Sequence, residues 1–287
     1  MAIPFPYSLL WAGVEMEKLR TFLRSVADGD LISWHHQSFA ANTFGMSFTQ
    51  VERTILELGL LPGRYQRNRK TISVNQQLRI FSGHVAVVGC GGLGGYIIEE
   101  LARLGVGRIT AVDPDVFEEH NLNRQLLSSP ENLGKPKVEA AQKRVALINP
   151  AVVLDSRRVA FSKLNGYELF QGADIVVDAL DSIPVRLELG DVCNDLNVPL
   201  VHGAIGGWYG QVATQFPGEN TLRKIYNRSA NGTGIEKGLG NPSFTPAVIA
   251  SLQVAEVCKI LTGHGTPMNN RKLHINLLDM EFEEIRY

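Results

Sequence analysis

Cysteine is scarce in this chain and none of it is paired. Cys90, Cys193 and Cys258 stand far apart among 287 residues and form no Cys-x-x-Cys. That spacing supports neither a disulfide framework nor a zinc site, and it points to a reducing, cytoplasmic compartment. A dominant charge is also missing. The formal net charge is −1, so no overall field draws in nucleic acid or an anionic membrane. No uninterrupted apolar run reaches the ~18 residues of a membrane span. The apolar start, residues 1–10, lacks the basic residues that open a signal peptide.

What the chain does have is ordinary globular stuff, 44% hydrophobic and 20% charged. Its length suits one large α/β domain with something smaller attached. The rest is organised around His84-Val-Ala-Val-Val88 and the glycines that follow it. A short Val-rich run reads as a buried parallel strand. It leads into Gly89-x-Gly91-x-x-Gly94, with a further glycine at 92, then a helical pattern from Leu93 to Leu104 stopped by Gly105. A second strand, Arg108 to Val112, ends on Asp113. Strand, glycine turn, helix, strand, acid is the order of a nucleotide site. The turn brings backbone N–H groups close to a phosphate, and the helix N-terminus favours its charge.

Ahead of this lie three helical stretches, 15–27, about 35–44 and 48–58, with Ser47 as a cap for the third. Ala41, Gly45 and Val51 have helix-turn-helix spacing. The would-be recognition helix, from Thr49 to Glu57, carries two acids and one base, which suits phosphates badly. A small helical bundle that packs or docks a partner is therefore favoured over a DNA-binding module. The basic run 60–70 reads as a solvated linker. The expected domains are a helical extension over 1–63 and a nucleotide-binding domain over 64–287.

Beyond Asp113 the pattern alternates. Helices are expected at 138–147, 164–170 and 185–196, and strands at 152–160, 173–181 and 198–203. The chain then turns to strand 211–216, a glycine-rich loop over 217–243, helix 245–261 and two closing strands, 272–278 and 280–285. The fold class is α/β: a Rossmann-like, doubly wound, mainly parallel sheet with antiparallel C-terminal strands and a small helical N-terminal extension. The loop 217–243, with Arg223, Lys224 and Arg228, is either a cover for a bound tail or a connector without a role.

Several charged and polar groups fall at strand ends: Asp113, Asn121, Arg124, Lys137, Asp181 and Arg186. Hydride transfer on a nicotinamide has little use for an Arg, a Lys and an acid around the phosphates. A triphosphate does, because cations neutralise its oxygens and an Asp can hold Mg²⁺. Together Gly89-x-Gly-Gly-Leu-Gly94, Asn121-Leu-x-Arg124-Gln125, Gly134-x-Pro-Lys137, Ile148-Asn149-Pro150 and Asp178-x-x-Asp181-x-x-x-x-Arg186 resemble the ubiquitin-activating-enzyme superfamily. The match is nearest to its bacterial MoeB/ThiF/HesA adenylyltransferases and covers about residues 64–287.

The resemblance implies ATP- and Mg²⁺-dependent adenylation of the C-terminal glycine of a ubiquitin-like sulfur-carrier protein ending in Gly-Gly, as in molybdenum or tungsten cofactor or thiamine-type sulfur transfer. It implies that Gly89, Gly91, Gly92 and Gly94 form the phosphate turn and that Asp113 meets the ribose. It assigns Asn121, Arg124 and Lys137 to the phosphates and Asp181 to Mg²⁺. Arg64-Tyr65-x-Arg67 is similar to the family's N-terminal motif, so Arg67 is expected to act in trans within a homodimer. The chain departs from the family in three ways. Asp181 is followed by Ser182 where Asn is frequent, the structural-zinc cysteines are missing, and the long crossover loop has no cysteine. The last two suggest no zinc and a role confined to adenylation. Alternatives are adenylation of a peptide C-terminus or of a tRNA-base carboxylate with cyclising dehydration. From another class comes a nucleotide-sensing DNA-binding regulator.

Overall fold

The structure is a computed structural model describing residues 7–227 and 236–287, without the side chains of 7–12, 236 and 237. Contacts divide the chain into two compact units at Phe81/Ser82.

The first unit is helical. It contains α1 (Tyr7–Ser25), β1 (Leu31–Ile32), α2 (Trp34–Phe44), α3 (Phe48–Glu57), β2 (Leu61–Pro62) and α4 (Val74–Ser82). Leu19, Leu23, Ile32, Ala40, Val51 and Ile55 form its core. Ser33 caps α2, which ends at a left-handed Gly45. Ser47 and Gln50 form a reciprocal capping box at the start of α3, so the turn between α2 and α3 follows directly from the sequence.

The stretch expected to be a solvated linker is ordered within this unit. β2 pairs in parallel with β1. The Tyr65 hydroxyl donates to Glu52 at 2.6 Å. The Arg64 guanidinium lies 5.1 Å from the Trp34 ring centre, and Arg69 pairs with Asp30 at 2.8 Å. Its basic composition imitates a connector, but specific partners engage Arg64, Tyr65 and Arg69. Helix α4 had no sequence counterpart. By contact, residues 64–81 group with the helices.

The second unit holds β3 (His84–Val88), α5 (Gly92–Leu104), β4 (Arg108–Val112), α6 (Lys137–Ile148), β5 (Val153–Arg157), α7 (Lys163–Leu169), β6 (Ile175–Asp178), α8 (Ile183–Asp195), β7 (Leu200–Gly206), β8 (Tyr209–Gln215), α9 (Thr221–Ile225), α10 (Glu236–Leu239), α11 (Phe244–Thr262), β9 (Arg271–Asn276) and β10 (Glu281–Arg286). One eight-stranded sheet runs β10-β9-β8-β7-β6-β3-β4-β5. The pairs from β5 through β7 are parallel, and those from β7 to β10 are antiparallel. This is the expected fold class. The chain winds outward through β4 and β5, then returns to start β6 on the other side of β3. That reversal opens a crevice at the carboxyl ends of β3 and β6, where such sheets bind ligands.

Two segments differ from expectation. The strand read as 173–181 stops at Asp178, which leaves Asp181 in the turn before α8. The stretch 217–243 is not irregular throughout, since it contains α9 and α10; Arg228 lies outside the described residues. Among the described residues, α11 is the helix long and apolar enough to cross a membrane. It is built into the sheet side of the unit. Its Gln253 is buried and donates to the Asp178 carbonyl at 2.8 Å, and its Glu256 is buried and accepts from the Thr214 hydroxyl at 2.8 Å.

Candidate functional site

A cleft of about 530 Å³ occupies the switch point, lined by Gly89, Gly91, Gly92, Asp113, Arg124, Gln125, Lys137, Asp181, Ser182 and Arg186 among others. This is the size expected of a small-molecule site. Most of the residues singled out in the sequence meet there.

The floor is the glycine turn. Gly89 has φ +98°, and a Cβ on it would stand 2.6 Å from the Ala179 carbonyl oxygen. Only glycine fits where the ends of β3 and β6 come together. Gly91 is the N-cap of α5 and offers no side-chain cap, so the first N–H groups of the helix have no capping oxygen of their own. Gly92 opens the helix beside Arg124. Gly94 does not line the cleft; it is a packing position under the turn.

Asp113 closes the turn from the end of β4. Its Oδ2 accepts the Cys90 N–H at 2.7 Å and its Oδ1 the Asp115 N–H at 2.8 Å. Burial raises its pKa, against the pull of the Cys90 N–H and Lys137. A carboxylate oxygen can accept more than one hydrogen bond, so Asp113 keeps capacity for hydroxyl donors. The Cys90 thiol is buried and its pKa is pushed up by burial and then by Asp113, which makes it inert filler.

Arg124 comes from the turn after β4, where its Nη1 donates to the His120 carbonyl at 3.0 Å and to Asn123 Oδ1 at 2.9 Å. Lys137 begins α6. It is almost fully buried, with Nζ 3.1 Å from Asp115 Oδ2. Arg124 and Lys137 thus face the cleft, with the buried Arg186 also in its wall. Asp181 is exposed in the cleft wall. Among the described residues its carboxylate makes no hydrogen bond or ion pair.

Asn121, expected at the phosphates, is not among the cleft-lining residues. It is buried, and its Oδ1 accepts the Glu118 N–H at 3.0 Å, closing a short capped turn. Its neighbour in the same motif, Gln125, does line the cleft. Gln125 is buried and its Oε1 accepts no hydrogen bond. In the sequence, the signal for Gln125 is its place beside Arg124 in the same motif. Arg67 belongs to the helical unit. It is exposed there and makes no ion pair among the described residues.

A buried polar cluster underlies the cleft. Asp178 at the end of β6 is fully buried and lies 2.7 Å from His202 Nδ1. It also pairs with Arg186 Nε at 3.5 Å. Desolvation lowers the His202 pKa, against the pull of Asp178. A neutral ring donating through Nδ1 fits these contacts. His202 is completely buried.

Comparison with known proteins places this geometry. The ThiF family matches residues 65–287. The chain is 36% identical over 228 residues to the SAMP-activating enzyme E1 of Haloferax volcanii, covering 78% of this chain and 84% of that protein. It is 35% identical to the sulfur carrier protein adenylyltransferase of Thermus thermophilus, over 73% of this chain and 80% of that one. It is 33% identical to the molybdopterin-synthase adenylyltransferase of Salmonella typhimurium, over 70% and 82%. Among solved structures, E. coli MccB with ATP superposes with a TM-score of 0.62 at 22% identity, covering 87% of this chain and 82% of that one. E. coli tRNA N6-threonylcarbamoyladenosine dehydratase, TcdA, with AMP gives 0.60 at 22%, over 70% and 94%. The last two are likenesses of fold.

Proposed function

The chain belongs to the ThiF family, and on that premise we propose that it is an adenylyltransferase activating the C-terminal glycine of a ubiquitin-like sulfur-carrier protein with ATP. The observation that carries this reading is the meeting of the glycine turn, Arg124, Lys137 and the unpaired Asp181 in one cleft. The named adenylyltransferases among its relatives favour a sulfur carrier over the peptide or tRNA-base carboxylate, and over a DNA-binding regulator.

The chemistry is one displacement. A carboxylate oxygen of the carrier's terminal glycine attacks the α-phosphorus of ATP. An O–P bond forms, the bond to the β-phosphate oxygen breaks, and pyrophosphate leaves with that electron pair. No protein nucleophile is required, so this chain contributes positioning and charge cancellation. The glycine turn and the start of α5 receive the phosphates. Asp113 holds the ribose hydroxyls. Arg124 and Lys137 neutralise the charge that builds on the departing phosphates. Gln125 offers an unsatisfied amide oxygen, an acceptor, to a donor group of the nucleotide. Magnesium fits at Asp181, because this ion takes one or two carboxylates and completes its shell with phosphate oxygens and water. Bound there, it would neutralise phosphate charge.

Arg67 complements the site from a second copy in a homodimer, and the reaction belongs to the ATP-rich cytoplasm. Intact-mass analysis tests the reading. A Gly-Gly carrier incubated with enzyme, ATP and magnesium gains one AMP, and the adduct is cleaved by hydroxylamine to a hydroxamate. A carrier that gains AMP after loss of its terminal glycine, or never gains it, contradicts the proposal.

A further inference from the structure

Asp178 is a fully buried acid at the strand end beneath the cleft, and it does not line the cleft itself. Its contacts converge on one residue, Leu180. Asp178 Oδ1 accepts the Leu180 N–H at 2.9 Å. The Leu180 carbonyl accepts from Arg186 Nη2. Both peptide groups flanking Leu180 are thus held, and the second is the one that enters Asp181. With only two soft dihedrals per residue, holding those peptide groups sets where the Asp181 side chain leaves the backbone.

The two holding residues are themselves held. The Asp178 carbonyl accepts from Gln253 at 2.8 Å. Arg186 Nη1 donates to the Tyr226 hydroxyl at 2.9 Å. That hydroxyl also accepts from Gln211 Nε2 at 3.0 Å and lies 3.2 Å from His202 Nε2. A phenol has two lone pairs and one proton. With both lone pairs taken by Arg186 and Gln211, its proton goes to His202 Nε2. His202 then donates through Nδ1 to Asp178. Gln211 Nε2 also lies 3.3 Å from His202 Nε2, so this ring nitrogen, as the acceptor, has both the phenol and the amide beside it.

A buried ion pair adds little net stability compared with packed apolar side chains. Its location directly behind the Asp181 turn gives it another use. We propose that Tyr226 and His202 are positioning residues: through Arg186 and Asp178 they hold the Leu180–Asp181 peptide so that the Asp181 carboxylate faces the nucleotide's metal and phosphates. Tyr226 caps the C-terminal end of α9, so α9 is tied to the metal-facing acid. The inference rests on the adenylation reading, and specifically on Asp181 as the magnesium acid.

The test is ATP binding to the full chain by calorimetry, with and without magnesium, in the absence of any carrier. Tyr226→Phe keeps the ring and removes the hydroxyl that receives Arg186. It is expected to fold normally, to bind ATP in EDTA as the wild type does, and to show an apparent magnesium affinity lowered about tenfold, as when a partner orienting a metal ligand is removed. Arg186→Lys, which cannot hold both the Leu180 carbonyl and the phenol, is expected to lose as much or more. Tyr167→Phe removes an exposed hydrogen bond to Asp195 on the α7–α8 surface and is expected to change neither quantity. Asp181→Asn separates the two layers of the argument. If it leaves the magnesium dependence intact, the acid's role fails and the inference fails with it. If it abolishes the dependence while Tyr226→Phe and Arg186→Lys retain it in full, the positioning inference alone is overturned.

Discussion

Gly94 packs so closely on the carbonyl of Gly89 that a Cβ added to it would stand 1.8 Å from that oxygen. The two glycines belong to one fingerprint but do separate work. Gly94 lets helix α5 sit against the turn, while Gly91 and Gly92 form the floor. A Gly94→Ala substitution must push the turn away from the helix. It is expected to cost about 3 kcal/mol or more, read from urea denaturation. At Gly92 the nearest atom to an added Cβ is 3.7 Å away, so Gly92→Ala is expected to stay within about 0.5 kcal/mol of wild type. The methyl group would face the cleft, so ATP affinity falls in a protein of normal stability.

Arg124 and Lys137 divide the charge at the cleft. Removing either by Arg124→Ala or Lys137→Ala is expected to lower adenylation by about 10²–10³ with the fold retained, the usual cost of losing one group that stabilises transition-state charge. Single-turnover formation of carrier-adenylate measures it, alongside a thermal melt to confirm folding. Near-normal turnover in a folded Arg124→Ala protein would remove that residue from the mechanism.

The turn, both strands and Asp113 were legible because they are local: a Val-rich run, glycines at fixed offsets and an acid at a strand end all fall within thirty residues. The closing antiparallel strands and the caps at Ser47 and Gly105 were legible for the same reason. What was not legible came from distance or from competition for a side chain. Asp178, His202 and Tyr226 meet across three elements, and nothing in their own neighbourhoods marks them as one cluster. Asn121 and Gln125 share one motif, yet the first closes a turn on the Glu118 N–H while the second lines the cleft. Residues 64–70 look like a solvated connector by composition, and only the contacts to Glu52, Trp34 and Asp30 show otherwise.

Glu99 joins α5 to α6. Arg144 donates to its two oxygens at 2.8 and 2.9 Å, and Arg103 at 2.9 Å. Burial works to raise its pKa, but the two guanidinium groups together outweigh burial and hold it below the ordinary 4.5. A carboxylate with a depressed folded pKa contributes stability above its unfolded value and loses it as pH falls through the lower folded value. Glu99→Gln is therefore expected to cost about 1 kcal/mol at neutral pH, discounted for the exposure of the arginines. The difference from wild type shrinks as pH drops below 4.5. Denaturation curves at pH 7 and pH 3 measure it; an equal cost at both would show that the ion pairs are not its source.

Arg67 has its own test. In a two-fold dimer with Arg67 acting on the partner's site, an Arg67→Ala subunit paired with an Arg124→Ala subunit regains one complete site. Each variant alone is inactive, and an equal mixture after subunit exchange is expected to recover about a quarter of wild-type activity, since half the dimers are mixed and each has one working site. No recovery in a mixture shown to exchange would place Arg67 in its own subunit's site or outside the reaction.

The central claim is that the cleft activates another protein's terminal glycine. ATP–pyrophosphate exchange tests it most directly, because label returns to ATP only when an acyl-adenylate forms reversibly. The account predicts exchange that requires magnesium and a ubiquitin-like carrier ending in Gly-Gly, and that stops when the terminal glycine is removed. Exchange that proceeds equally well without any carrier, or with the truncated one, would contradict it.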